Sequence, residues 1–312
     1  MTTPRYFNAH CHLELSHLGG KIPPGLPFVE WLAEIVRLKR ATDPAESVAA
    51  ARAALDEMHR GGTLALFDIL SMDIADVALA AQSTVRSLRF REVIEFQPAD
   101  AAEALNDAAE RQAAAPPAAH SAHGLSPHSP YTCSAELLRA SAAFARERNQ
   151  WLCIHAAETA EEFEMFTKGT GALHDFLAPF LPDNWRAPGK TPIAFLDEVG
   201  CLGLKTLLVH CNEITDADIA LIKNSEASVV LCPGTHVYFQ RGDFPLVRLL
   251  DAGVPVYLGT DSLASNESLD MAREIDLAKD LSGGKISHGE LQQLASPGRA
   301  SRFFSSEASP NP

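Results

Sequence analysis

The sequence predicts an α/β fold of the (β/α)8 barrel type, and three observations predict it. Eight short apolar runs recur along the 312 residues. Helix-like stretches separate the runs, the alternation expected of βαβ units around a parallel sheet. The first run leads into LELSHLGGKIPPG, which is not the glycine-rich phosphate loop that a doubly wound dinucleotide-binding sheet carries there. A barrel of this kind takes ~250 residues, and 46% hydrophobic residues supply its core.

In chain order, the strands are read in YFNAHCHL (6–13), TLALFDIL (63–70), RFREVIEF (89–96) and AHGLSPHS (122–129). The second half gives WLCIHAAE (151–158), TLLVHCNE (206–213), SVVLCPGT (228–235) and VPVYLGTD (254–261). Helices are expected within 43–62, 133–150 and 215–226, opening on Asp43, Ser134 and Thr215. The short polar side chains of these three residues suit the N-cap. Gly61, Gly62 and Gly253 stand where helices should stop. The barrel is expected over 1–295. Residues 167–191 form a lid-like insertion after the fifth strand, too long and too apolar for a plain connection. The Ser/Pro-rich segment 296–312 is expected to be a poorly ordered tail.

Twenty-six basic residues against 40 acidic ones give a net charge of −14. That disfavours nucleic acid and anionic membrane surfaces as partners. No run approaches the ~20 apolar residues of a membrane span, and MTTPRYFNAH has no apolar signal-peptide core. The six cysteines form no C-x-x-C pair, so they are expected to be buried thiols of a reducing compartment. The expectation is a cytoplasmic protein acting on a small molecule, with a homo-oligomer left open.

The chemistry lies at the ends of the strands, where barrels of this type gather their active sites. In a strand, His10 and His12 share one face. His128 ends the fourth run, His155 and Glu158 the fifth, His210 the sixth and Asp261 the eighth. Three imidazoles and one carboxylate suit a single divalent metal, zinc before iron, with one position open. Such an ion lowers the pKa of water from 15.7 to about 7, and hydroxide then attacks an electron-poor carbon. Glu158 is placed to accept a proton from the attacking water and return it to the leaving group. His210 would steady developing charge. Asp261 would offer one oxygen to the metal and the other to the water proton. His128 is read as a substrate contact and Glu95 as a further pocket residue.

NAHCHLELS, SPHSPYT, IHAAE, LVHCN and GTDSLASN, in that order, resemble the amidohydrolase superfamily in its branch of amino-heterocycle deaminases and chlorohydrolases. The resemblance spans roughly residues 6–295. It implies that His10, His12, His155 and Asp261 bind the metal, that His210 holds water or substrate, and that Glu158 moves the proton. It also implies a substrate-binding role for Glu30 in PFVEWLAEI. The seventh strand departs from the family's CP-x-S-N turn: CPGTHVYF puts His236 where an Asn is usual, and His236 becomes the expected substrate contact. The β-sandwich that often flanks this barrel is expected to be reduced or missing, and LASPGRASRFF reads as a degraded form of the helix that closes the barrel. The resemblance implies hydrolytic deamination of an amino-substituted N-heterocycle, a purine nucleoside-like compound such as aminofutalosine. The alternatives are dechlorination or cyclic-amide hydrolysis by the same site, or a metal-binding paralogue that has lost turnover.

Overall fold

The computed structural model describes residues 5–81, 84–118 and 120–304. Its sheet has eight strands in sequence order, every neighbouring pair parallel. They are β1 (Tyr6–Cys11), β2 (Thr63–Leu70), β3 (Arg86–Val93), β4 (Ser121–Pro127), β5 (Leu152–Ala156), β6 (Thr206–His210), β7 (Ser228–Leu231) and β8 (Val256–Leu258). The ring closes through a parallel bridge between Cys11 and Asp261. There, the amides of Thr260 and Asp261 both donate to the His10 carbonyl at 3.1 Å. The (β/α)8 expectation holds strand by strand.

The helices between the strands follow the physics of their ends. Asp43, Ser134 and Thr215 cap Pro44–Arg60, Ala135–Glu147 and Asp216–Asn224, each accepting a backbone N–H with its side chain. Alternate strand residues, among them Phe7, Phe67, Phe90, Cys153, Val209 and Tyr257, fill the barrel interior. The opposite faces pack on the helices.

One segment differs from expectation. Residues 297–304 form a helix rather than part of a poorly ordered tail. Ala300 and Phe303 share its buried face, and Phe303 lies 4.3 Å from the Trp151 ring and 4.7 Å from that of Phe67. The closing helix is therefore present: one aromatic at helical spacing suffices to cap the barrel floor. The rest of the expected tail, 305–312, lies outside the described residues. The insertion carries the helix Ala172–Leu177, whose Leu173 and Leu177 pack with Phe28, Trp31 and Ile35 of the helix Phe28–Ala41.

All six cysteines are free and buried. No helix among the described residues is long and apolar enough to cross a membrane.

Candidate active site

Each strand places its residue at the mouth by its register. In β5, Cys153 faces the interior, so His155 two residues on does too. In β6, Leu207 and Val209 face inward, and regular alternation would turn His210 outward. Its φ of 75° breaks the alternation and brings the ring to the cavity. Ala157, Cys211 and Asp261 also take positive φ. Such strained backbone gathers at functional sites. Gly259 is required by proximity, because a Cβ there would lie 2.8 Å from the His10 side chain.

The result is a compact cluster of ligand atoms. His155 Nε2 lies 3.2 Å from His12 Nε2 and 3.3 Å from His10 Nε2. Asp261 Oδ1 is 3.6 Å from His10 Nε2 and 3.7 Å from His12 Nε2. His155 Nδ1 faces the His128 carbonyl at 3.0 Å. A carbonyl only accepts, so Nδ1 carries the proton and Nε2 presents its lone pair. Burial, then the neighbouring rings, hold His155 well below the usual imidazole range. Burial and the His10 ring do the same for His12. Both are neutral, as ligands must be. Burial pushes Asp261 upward, but the hydrogen bond with His10, its first opposing contact, outweighs it and holds the carboxyl well below the usual carboxylate range. Three ring nitrogens and a carboxylate oxygen converge on one point, and imidazole nitrogens with a carboxylate are the ligand types a divalent ion takes. The donor set therefore fits a divalent ion. His210 approaches the same group.

Asp261 Oδ2 is already engaged, accepting from Thr235 Oγ1 at 3.1 Å and Ser265 Oγ at 2.9 Å. Those hydroxyls orient the carboxylate, so its second oxygen is not free to take a water proton as expected. Glu158 faces the cavity beside His210, with Nε2 to Oε1 at 3.7 Å. Burial raises Glu158 and Arg241 opposes that, with a net upward shift. Such a shift moves a carboxyl toward a proton-shuttling range. Burial lowers His210 to about 3, leaving a neutral ring.

The cavity, about 460 Å³, is lined by His12, His128, His155, Glu158, His210 and Asp261 at its base. Trp31, Leu32, Ile35, Phe176, Leu177 and Phe180 form an apolar wall. That size suits a whole small ligand. His128 lines it as expected, its Nδ1 2.7 Å from Thr132 Oγ1.

Three expected contacts fall elsewhere. Glu30 is exposed and does not line the cavity; Trp31 does, because one residue turns a helix by about 100°. Glu95 points away, accepting from the Gln97 amide at 2.7 Å. Observed β3 lies three residues earlier than the run read from the sequence, and the interior series Leu88, Phe90 continues to Glu92, Ile94 and Phe96. Glu92 is thus the pocket acid, raised to about 7 by burial; counting by twos from Phe90 finds it. His236 is buried behind the site, its ring 5.0 Å from Phe244. The turn residue that reaches the centre is its neighbour, Thr235.

Glu92, His128 and His155 also converge within 4.8 Å. They make no second metal site, because the one free nitrogen of His155 already faces His10 and His12. Arg241 donates to Glu158 Oε1 at 3.0 Å; nothing in a loop arginine's local sequence announces so distant a partner.

An eight-stranded parallel barrel with a buried imidazole–carboxylate centre at its mouth defines a metal-site hydrolase architecture. The profile of the Amidohydrolase family matches residues 1–294, and the chain belongs to that family. It is 34% identical over 295 residues to an aminodeoxyfutalosine deaminase of Deinococcus radiodurans, covering 90% of this chain and 68% of that one. It is 31% identical over 287 residues to a 5-methylthioadenosine/S-adenosylhomocysteine deaminase of Thermococcus kodakarensis, covering 89% and 62%. The chain thus spans about two thirds of the length of these relatives. Among solved structures, it superposes on a zinc-bound adenosine deaminase of Xanthomonas campestris with a TM-score of 0.79 at 26% identity, covering 96% of this chain and 66% of that one. Helicobacter pylori aminofutalosine deaminase shares the fold with a TM-score of 0.83 at 21% identity, covering 96% and 74%.

Proposed function

We propose that this chain is a hydrolytic deaminase of an amino-substituted N-heterocycle, of the purine nucleoside kind on which its named relatives act. The observation that carries the reading is Glu158 and His210 lining one cavity of about 460 Å³ together with His12, His155 and Asp261, with fully buried His10 against His155 and Asp261. In the reaction, water adds its oxygen to the amine-bearing carbon, the C–N bond breaks, and ammonia leaves. Glu158 accepts the proton that water gives up and delivers it to the ring nitrogen or the departing amine. His210, neutral and buried, donates a hydrogen bond to the oxygen as it gains charge. His10, His12, His155 and Asp261 would hold one divalent ion, zinc in our reading. When bound, that ion supplies the Lewis acidity that makes water nucleophilic at neutral pH. The free buried thiols support a reducing, cytoplasmic setting.

The test is ammonia release by metal-loaded protein from aminodeoxyfutalosine, 5-methylthioadenosine and S-adenosylhomocysteine, with atrazine as a chloride-release comparison. Turnover of at least one nucleoside is expected. Chloride release alone would replace the reading with a chlorohydrolase, and silence on the whole panel would remove it.

The insertion is assigned a lid role by the same reading. Phe176 and Phe180 line the cavity, Phe180 stacks on Phe96 at 5.7 Å, and Gln97 Nε2 donates to the Phe180 carbonyl at 2.9 Å. Burying a Phe against a ligand is worth about 1.5–3 kcal/mol, or roughly tenfold and upward in affinity. Phe176→Ala with Phe180→Ala is therefore expected to lower kcat/KM by about tenfold or more with metal retained. A lower melting temperature with both kinetic constants unmoved would make the segment a structural cover.

A further inference from the structure

We infer that Arg241 is a positioning residue for Glu158: its guanidinium occupies one carboxylate oxygen and leaves only the other free to carry the proton. The inference rests on the reading of Glu158 as the proton-shuttling group.

Arg241 Nη2 donates to Glu158 Oε1 at 3.0 Å, between side chains only 10% and 7% exposed. His210 Nε2 approaches the same oxygen. Among the described residues no donor engages Oε2, and Glu158 faces the cavity. The backbone of Glu158 is fixed on both sides: its amide donates to Glu162 Oε2 at 2.7 Å, and its carbonyl accepts from Asn212 Nδ2 at 3.1 Å. Both restraints on the β7 side lead back to His236. Its carbonyl accepts from the Arg241 amide at 3.1 Å, and its Nδ1 meets Asn212 Oδ1 at 3.4 Å. The Arg241 guanidinium also lies 4.7 Å from the Phe239 ring centroid. The β7 turn thus sends two arms to Glu158, one through Asn212 to its backbone and one through Arg241 to its carboxylate. This gives buried His236 a place in the site without touching substrate.

The chemistry favours this division of labour. Arginine has only donors and keeps its charge, so it cannot carry the proton itself. A free glutamate side chain samples several rotamers, whereas proton transfer needs heavy atoms within about 2.6–3.2 Å. Misplacement by 1 Å can cost about 10²-fold.

The experiment is a double-mutant cycle on metal-loaded protein, read by ammonia release from aminodeoxyfutalosine or 5-methylthioadenosine, whichever the panel selects. Arg241→Met is expected to lower kcat roughly 10- to 100-fold with KM little changed. Arg241→Lys should recover part of that loss. In the Glu158→Gln background, Arg241→Met should cost nothing further. Losses that multiply would overturn the inference while leaving the role of Glu158 intact. An unchanged kcat in Glu158→Gln alone would instead sink the reading beneath it. Should Arg241→Met fail to fold, Arg241→Gln takes its place in the cycle. A thermal-melting cycle decides the pairing without any substrate. Glu158→Gln should restore melting temperature lost on removing Arg241, because it removes an unpaired buried carboxylate. Strictly additive shifts in melting temperature would overturn the pair.

Discussion

Replacing Glu158 by Gln is expected to lower kcat by about 10²–10⁴, the usual contribution of a general acid–base group, with fold and metal content unchanged. The substitution keeps shape and volume. The backbone contacts of residue 158 to Glu162 and Asn212 survive, because they do not involve its side chain. The amide oxygen of Gln can still accept from Arg241. What disappears is the ability to take a proton from water and pass it on. Burial holds the carboxyl above its ordinary range, so the wild-type group is poised to do both, and an amide does neither. Steady-state kinetics on the best panel substrate, with metal analysis of the same samples, checks the prediction. A kcat within error of wild type would remove Glu158 from the mechanism.

The features legible in the sequence are those with local or periodic causes. Eight strands stood out because each is a short apolar run bounded by caps and glycines. The six residues His10, His12, His155, Glu158, His210 and Asp261 stood out because polar groups ending apolar strands cost burial energy unless they are used. Periodicity also explains one error. Reading the third strand three residues late moved attention from Glu92 to Glu95, because each step along a strand flips the face. Glu30 was implied by the resemblance alone, and in this helix the cavity face belongs to Trp31. Arg241, Thr235 and Ser265 depend on contacts between distant loops, and no local pattern carries those. The helix over 297–304 depends on Phe303 finding the barrel floor, a tertiary reward that the segment's Ser and Gly content conceals.

Replacing His10 by Ala is expected to empty the metal site and to lower activity at least as far as loss of Glu158 does. His10 is fully buried, and its ring centroid lies 4.9 Å from that of His12 and 5.0 Å from that of His155. Its Nε2 meets both His155 Nε2 and Asp261 Oδ1, so it occupies the middle of the cluster. Without it, two imidazoles and one carboxylate remain around a gap that Ala cannot fill. The ion would lose one of its four protein ligands, and the one lost is the ring that touches both His155 and Asp261, so its affinity is expected to fall steeply. The energetic stake is large. Lowering the pKa of water from 15.7 to about 7 corresponds to roughly 12 kcal/mol at 1.36 kcal/mol per unit, and no remaining side chain supplies that. Elemental analysis after exhaustive dialysis should find one divalent ion per wild-type chain, zinc in our reading, and a small fraction of that in His10→Ala. His128→Ala separates ligand loss from general damage. Its Nε2 is 4.0 Å from Glu92 Oε1, and its Nδ1 is occupied by Thr132. That variant should keep its metal while KM rises. Equal metal in wild type and His10→Ala, or none in wild type purified from metal-replete medium, would show that the imidazole–carboxylate cluster is not the ion's site.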